Sequence, residues 1–456
     1  MVASDLIGKH APVPRLTVAT ARPRWSSLRP GFRSQLQAGR LRISSRIPRR
    51  SLQLQAMDTG GESSDLRGPK VVVVGAGIAG CSTAYHLAKR GVAPIVLERS
   101  GIGAAASGKA GGFLARGWGD GTVTQDLHRK SFDMHEALAK ELGIKSYRKI
   151  PVLTVSGEGR SRSAKGQKFA KWLDGNISSA SMMDPTTAQV TPMELTTAFM
   201  DAACKNGAVF RKAVVQGIQT CPTDGSKRKV TGVELEGGEV VEADAVVIAM
   251  GPWSTLAGQW LDLPIPMTGV KSTSLVYKGC TPVQEEPFAM FVGEDSNGCH
   301  LEVYPRPNGE VYICGCGGSD YVTGGRIAPG GDCATPEQMH ADPKRVAAAS
   351  SSFKGLTSLG DRDPDSVQAC MRPCPPDALP IMGPAPGVQG AYFACGHNCW
   401  GILWGPITGL AMSELVVDGE ATCVDLDEFS PSRFMPAAAF GTRGRKRGAK
   451  PVGEQW

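Results

Sequence analysis

Three glycines early in the chain have the spacing of a phosphate-binding turn. Gly75, Gly77 and Gly80 stand in the GxGxxG arrangement of the segment GAGIAG. The first glycine permits a tight turn, the second lets a pyrophosphate approach the backbone, and the third packs a helix closely against a strand. Amides at the start of that helix would face the phosphates. The spacing predicts a dinucleotide site made by Gly75, Ala76, Gly77, Ile78, Ala79 and Gly80.

The segments around these glycines predict the strand–turn–helix–strand order that such a site needs. The β-branched run 71–74 is typical of a parallel strand covered on both faces. Apolar residues then recur at helical intervals as far as Gly91, and a second strand ends at Glu98. The Glu98 carboxylate is placed to accept hydrogen bonds from an adenosine ribose, and Arg99 beside it joins the predicted site. NAD and FAD share this pattern, and a relic fold without a nucleotide is the alternative.

A loop rich in small residues, GIGAAASGKAGGFLARGWG, favours FAD over NAD. With this loop the chain resembles FAD-dependent oxidoreductases of the D-amino-acid oxidase, glycine oxidase and sarcosine oxidase type. The resemblance implies that Ser107, Gly111 and Gly112 lie along the pyrophosphate and flavin of an extended FAD. An ordinary surface loop is the alternative.

The resemblance continues in the same order along most of the chain. In 190–218 it implies a helix and a strand, with a backbone group near Val215 meeting the adenine. In 239–255 it implies a strand that ends in a glycine turn beneath the FAD, at Gly251. The C-terminal segments QACMRPCPPDALPIMG and GAYFACGHNCWGILWGPITGLAMSELVVDG complete it.

The segment GHNCWGI lies between a predicted strand, 391–394, and a helix predicted to begin near Pro406. The resemblance implies that this loop faces the pyrimidine edge of the flavin. Reduced flavin carries negative charge there, and amides at the positive end of a helix dipole stabilise an anion. Packing alone is the alternative role for the two tryptophans, Trp400 and Trp404. The implied contacts are Gly396, His397, Asn398, Trp400, Gly401 and Ile402.

Arg372, in CMRPCPPD, aligns with the arginine that binds the substrate carboxylate in the resembling oxidases. A planar guanidinium holds a carboxylate bidentately and so fixes the neighbouring carbon. A structural arginine in an ion pair is the alternative. Tyr304 and His300 are candidates for the aromatic partners of the substrate. Because Asn308 and Gly309 predict a hairpin, Tyr304 is also explained as an ordinary strand residue.

Cys370 precedes this arginine by two positions and matches the cysteine that sarcosine oxidases join to the flavin 8-methyl group. The resemblance thus leaves covalent flavin as one hypothesis and a free thiol as the other. The spacings among the nearby cysteines and His397 are not those of zinc ligands, so no metal site is predicted.

The predicted fold class is α/β, a doubly wound FAD- or NAD(P)-binding (Rossmann-like) domain with an interleaved substrate domain that holds an antiparallel sheet. The FAD-binding domain is discontinuous, and its segments alternate with those of the substrate domain. The predicted ranges are 1–56 for a leader, 68–149, 189–262 and 367–424 for the FAD-binding domain, 150–188 and 263–366 for the substrate domain, and 436–456 for a flexible basic tail.

Charge is concentrated at the N-terminus and excludes a nucleic-acid binder. The whole chain has a formal charge of +7, but residues 1–56 carry +10 and the remainder −3. An Arg- and Ser-rich leader with one acid is typical of an organelle transit peptide, with chloroplast favoured over mitochondrion and an uncleaved basic tail as the alternative. No uninterrupted apolar run approaches the roughly 18 residues of a membrane span. The 13 scattered cysteines favour reduced thiols.

The resemblance implies oxidation of the C–N bond of a small amino acid or secondary amine. Hydride would pass to flavin N5, the imine would hydrolyse, and oxygen or another acceptor would reoxidise the flavin. An FAD-binding assembly or trafficking factor with little turnover is the main alternative, and an NAD-dependent dehydrogenase is a third. Substrate identity, stereochemistry, electron acceptor and oligomeric state stay open.

Overall fold

The computed structural model describes residues 68–436, apart from Ser163, Asp224 and Ser226. The predicted leader, 1–56, lies outside the described residues, as does all of the predicted tail except Pro436.

The described chain forms 21 strands and nine α-helices. The strands are β1 (Val71–Val74), β2 (Ile95–Glu98), β3 (Phe113–Leu114), β4 (Arg148–Lys149), β5 (Val152–Ser156), β6 (Ser179–Asp184), β7 (Ala188–Gln189), β8 (Val209–Lys212), β9 (Val215–Pro222), β10 (Arg228–Leu235), β11 (Val240–Glu242), β12 (Ala245–Ile248), β13 (Thr268–Tyr277), β14 (Ala289–Val292), β15 (Glu302–Pro305), β16 (Val311–Cys314), β17 (Asp320–Val322), β18 (Ser366–Cys374), β19 (Ile381–Pro384), β20 (Val388–Gln389) and β21 (Ala391–Cys395). The helices are α1 (Ile78–Lys89), α2 (Ala106–Lys109), α3 (Gln125–Leu142), α4 (Ala164–Gln167), α5 (Pro192–Lys205), α6 (Ser254–Trp260), α7 (Pro282–Glu285), α8 (Pro343–Leu356) and α9 (Gly401–Asp418).

A six-stranded sheet in the order β19-β21-β12-β1-β2-β8 forms the centre of one half of the described chain. All neighbours pair in parallel except β19 with β21. The sheet combines strands from 68–149, 189–262 and 367–424, so distant segments of the chain build one layer. This arrangement confirms the predicted α/β class with a mainly parallel sheet.

Strand β1 is buried on both faces because its side chains alternate between two cores. Val71 and Val73 pack in one core with helices α1, α5 and α9. Val72 and Val74 pack in a second core with residues of β9 and β10. The uninterrupted β-branched run is therefore explained by apolar cover on each side. Helices supply that cover on one face, and the small sheet containing β9, β10 and β11 supplies it on the other.

The second large sheet has the order β17-β13-β16-β15-β14-β5-β6, and β18 also pairs with β13. Its strands pair antiparallel except β5 with β14, which are parallel. Strand β18 pairs with β13 along nine residues, although its sequence falls almost entirely in the last predicted FAD-binding segment. The chain thus crosses from one half to the other along β18, and the predicted domain limits stay a prediction.

One stretch, Asn398–Asp418, is long and apolar enough to cross a membrane by length and composition. Because 67% of its apolar window is buried inside the protein, its composition is explained by a place in the core beside α1 and α3. All 13 cysteines are free thiols.

Candidate active site

A deep cleft between the two sheets gathers the residues that the sequence singles out. Its wall combines the turn after β1, the loop 101–113, the turn after β12 and the loop before α9. Ala76, in the turn, and Gly80, in the first turn of α1, do not line the cleft. The predicted cofactor residues that line it are Gly75, Gly77, Ile78, Ala79, Glu98, Arg99, Ser107, Gly111, Gly112, Val215, Gly251, Gly396, His397, Asn398, Trp400, Gly401 and Ile402.

Close backbone contacts leave no room for a side chain at two glycines of the GxGxxG segment. Gly75 has φ +104°, and a Cβ there would lie 2.5 Å from the carbonyl oxygen of Ala249. A Cβ at Gly80 would lie 1.9 Å from the carbonyl oxygen of Gly75. These contacts hold α1 against β1 with its N-terminus facing the cleft.

The N-terminus of α1 presents amides, of the kind that hold a pyrophosphate. Gly77 caps the helix without any side-chain hydrogen bond, and the Ile78 amide donates to Ser107 Oγ at 2.9 Å. The Ser107 hydroxyl brings the small-residue loop against the helix start. An anion at this end would find free amides and a favourable dipole.

Glu98 stands at the end of β2, beside the glycine turn, and is held by backbone donors. Its Oε2 accepts from the Ala76 amide at 2.8 Å, and its Oε1 accepts from the Ser100 amide at 2.8 Å. Each carboxylate oxygen has a second lone pair, so both retain capacity for ribose hydroxyls. The Arg99 guanidinium turns to the Ala334 carbonyl, 3.0 Å away, and ties a distant loop to this end. The donor set fits an FAD extended along the cleft.

The loop before α9 is shaped by two left-handed residues, Gly396 at φ +75° and Asn398 at φ +50°. Asn398 Oδ1 accepts a hydrogen bond from the Cys374 thiol at 3.1 Å. Helix α9 begins at Gly401, five residues before the predicted start near Pro406. Pro406 stands inside the helix, so its sequence signal as a helix start was wrong. The helix N-terminus consequently lies in the cleft wall itself.

Arg372 lies on β18 and lines the cleft. Its side chain is half-buried, and its Nε is buried without a hydrogen-bond partner. None of the ion pairs found between 68 and 436 includes it. Burial disfavours the charged form, but neighbouring Cys399, Cys374 and Glu302 outweigh it and raise the pKa of the guanidinium. The structure therefore gives no support to the internal ion-pair alternative.

Strand β15 and the residues that lead into it form one wall of the cleft. His300, Glu302 and Tyr304 alternate along it and all line the cleft. The Tyr304 hydroxyl donates to Glu302 Oε2 at 2.5 Å, so it is engaged within the protein. Sequence reasoning missed Glu302, although its period-two spacing with His300 and Tyr304 carried the signal.

An aromatic cluster closes the space beside this hairpin. Phe113 lies 5.5 Å from Tyr304 in a stacked arrangement and 5.2 Å from Trp118. Trp118 meets Trp400 edge-on at 6.2 Å and Phe291 at 5.3 Å. Of this set, only Trp400 and Tyr304 stood out in the sequence. The rings make one end of the cleft apolar, which lowers the local dielectric around a bound substrate.

Several thiols line the cleft. Burial raises the pKa of the Cys395 thiol to about 12. Burial likewise raises the pKa of the Cys370 thiol, which lines the cleft near Arg372 and Lys109. Both are protonated at neutral pH. In the described part of the chain, no group of three or more His, Cys, Asp or Glu side chains is placed to hold a metal ion.

Replacing His135 by Gln is expected to weaken the pH dependence of stability. Burial lowers the pKa of His135, like those of His86 and His397, to about 4. Unfolded histidine titrates near 6.5, so the unfolded chain binds more protons than the folded chain between pH 6.5 and 4. The free energy of unfolding therefore decreases as the pH is lowered through that window. Urea unfolding at pH 7 and at pH 5 measures the decrease in unfolding free energy between the two. We expect this decrease to be roughly 1–2 kcal/mol smaller in the variant than in the wild type. An unchanged difference would contradict the assignment.

Comparison with known proteins identifies the family. The model of the FAD dependent oxidoreductases matches residues 70–415. The protein therefore belongs to this family of flavoenzymes, which confirms the family predicted from the sequence.

Individual relatives agree along most of the chain. Glycine oxidase of Geobacillus kaustophilus is 26% identical over 80% of this chain and 97% of its own. Human mitochondrial dimethylglycine dehydrogenase is 25% identical over 80% of this chain and 44% of its own. In structure, the Geobacillus glycine oxidase superposes with a TM-score of 0.64 at 23% identity, over 81% of this chain and 99% of its own. L-amino acid deaminase from Proteus vulgaris gives 0.67 at 16% identity, over 83% and 100%. Both solved structures share the fold of this chain.

Proposed function

We propose that this protein binds FAD and oxidises the C–N bond of a small amino acid or secondary amine. The observation that carries the proposal is Arg372, a half-buried guanidinium that lines the cleft and has no ion-pair partner among residues 68–436. Arg372 and the glycine turns line the same cleft, which supports a role for Arg372 in binding a substrate carboxylate near the cofactor. The family match and the glycine oxidase relative support this chemistry over the NAD-dependent alternative.

Arg372 binds the substrate carboxylate in this account. The two parallel N–H donors of a guanidinium fix both the position and the plane of a carboxylate, and thereby the carbon that bears the amine. Strand β18 holds the arginine rigidly because nine of its residues pair with β13. Bound FAD supplies the two-electron acceptor for that carbon.

The start of α9 stabilises negative charge at the other side of the cleft. Gly401 and Ile402 open the helix and line the cleft, so the positive end of its dipole lies in the cleft wall. The His397 imidazole lies behind them, with Nε2 3.0 Å from Thr408 Oγ1, and burial lowers its pKa to about 4. The imidazole is therefore neutral at pH 7, and the favourable potential comes from the helix amides and dipole.

The apolar wall excludes water from the carbon that reacts. Phe113, Trp118, Phe291 and Trp400 pack around this end of the cleft. Excluding water strengthens the ion pair with Arg372 and protects an unstable imine until release. Oxidation of a neutral amine needs orientation more than a dedicated acid or base.

The proposal is tested with purified holoprotein by its visible spectrum and by its products. We expect a yellow protein that releases FAD on acid denaturation and converts an amino acid or N-methyl amine to a carbonyl compound. Flavin that stays with the denatured chain would indicate a covalent bond, to be checked with Cys370→Ser. Protein without flavin absorbance would contradict the proposal.

We further propose that residues 1–56 direct the protein to an organelle, with the chloroplast favoured over the mitochondrion. The support is the charge of +10 and the single acid in this segment. Fusing the segment to a fluorescent protein tests it, and diffuse cytosolic fluorescence would contradict it.

A further inference from the structure

Glu302 is a half-buried carboxylate with one oxygen engaged and the other unengaged. Its Oε2 accepts from the Tyr304 hydroxyl at 2.5 Å and from the Cys314 thiol at 3.4 Å. Its Oε1 has no partner among the residues that the structure describes. A carboxylate withdrawn from water is costly unless a cation or several donors face it. The arrangement therefore leaves Oε1 available to a ligand in the cleft.

The direction of this carboxylate is fixed by its neighbours. Tyr304 is 3% exposed and stacks on Phe113, at 5.5 Å, and on Tyr312, at 6.3 Å. A buried ring held by two stacked neighbours does not follow Glu302 into another rotamer, so its hydroxyl holds Oε2 in place. Oε1 is thereby presented to the cleft that Glu302 lines.

Glu302 and Arg372 line the same cleft without pairing with each other. No ion pair within 4.0 Å joins them, yet Glu302 is among the groups that raise the pKa of the Arg372 guanidinium against the effect of burial. Arg372 and Glu302 thus present a positive and a negative charge in one cleft without neutralising each other. A ligand that carries both charges would match them. An α-amino acid carries a carboxylate and an ammonium on one carbon.

We propose that Glu302 binds the amino group of the substrate through Oε1, so that Arg372 and Glu302 together recognise a zwitterion. The bound ammonium gives up one proton to solvent before the neutral amine is oxidised. The inference rests on the proposed function and adds a specificity-determining residue to it. Glu302 then decides which substituent of the carbon lies on the hairpin side of the cleft. A molecule with the carboxylate alone satisfies only Arg372.

The test compares wild-type holoprotein with Glu302→Gln, which keeps the shape and an acceptor for Tyr304 but removes the charge. Glycine, N-methylglycine and proline serve as substrates, and acetate, methoxyacetate and cyclopentanecarboxylate are the matching acids without an amine. Dissociation constants of these acids come from the change they cause in the flavin spectrum. Glu294→Gln, an exposed position outside the cleft, is the matched control.

We expect Glu302→Gln to raise KM for the amino acid roughly tenfold to a hundredfold, the effect of losing a hydrogen bond between charged groups. The three acids without an amine should bind within about threefold of wild type. If the variant bound the amino acids and the acids without an amine equally more weakly, or if KM for the amino acids did not change, the inference would be overturned. The proposed function would stay intact. A wild-type flavin that no amino acid reduces would overturn both, and that result appears before any variant is made.

Discussion

Arg372→Met holoprotein is expected to keep its FAD and to lose about a hundredfold in kcat/KM for its amino acid. The cause is the loss of a bidentate, charge-assisted contact, which contributes on the order of 3 kcal/mol. At 1.4 kcal/mol per factor of ten, that energy corresponds to roughly a hundredfold. Methionine fills the space without a charge, so the apolar packing near β13 is kept. Steady-state kinetics over a range of substrate concentrations measures the effect.

Two further variants separate substrate binding from general damage. Arg372→Lys restores the charge without the planar pair of donors and should recover only part of the activity. Arg362→Met removes a surface arginine that pairs with Asp365 at 2.7 Å and should leave kcat/KM unchanged. An Arg372→Met enzyme with wild-type kcat/KM would show that this side chain does not bind the carboxylate.

Gly80→Ala is expected to lower the free energy of unfolding by about 3 kcal/mol or more and to release the cofactor. The added Cβ would meet the Gly75 carbonyl oxygen at 1.9 Å and the Val73 side chain at 3.3 Å. Both neighbours belong to the strand and turn that anchor α1, so neither moves without moving the helix N-terminus. Urea unfolding of the apoprotein and FAD retention on gel filtration report the two effects.

Gly101→Ala is the matched control for this variant. Gly101 lines the same cleft, has an ordinary φ, and has no atom within 4 Å of an added Cβ. It should retain FAD and the stability of the wild type within about 0.5 kcal/mol. If Gly80→Ala matched Gly101→Ala in both measurements, the close contact between α1 and β1 would not be needed for the site.

The half of the fold that contains β1 and α1 was predictable because its signals are local. A strand covered on both faces, a turn and a helix each leave their mark within a few residues, as in 71–74 and in the spacing that ends at Gly80. Close contact explains that spacing, since Gly75 and Gly80 meet each other directly. The role of Arg372 rested on the resemblance alone, because nothing in its own sequence neighbourhood identifies a carboxylate receptor.

Non-local features escaped prediction for a physical reason. The proposed role of Glu302 depends on Tyr304, on the same strand, and on Arg372, which a different strand brings to the cleft. The pairing of β18 with β13 depends on register across about a hundred residues of chain, which no local pattern encodes. The start of α9 was predicted too late because proline is common in the first turn of a helix, which pointed to Pro406. Buried residues before Pro406 extend the helix back to Gly401.

The most direct test of the central claim is anaerobic mixing of the purified holoprotein with a panel of small amino acids and N-methyl amines while the flavin absorbance is followed. We predict that one class of compound bleaches the flavin band and that the band returns when an electron acceptor is admitted. FAD that stays bound and oxidised with every compound would contradict amine oxidation. That result would favour an assembly or trafficking role for the same fold.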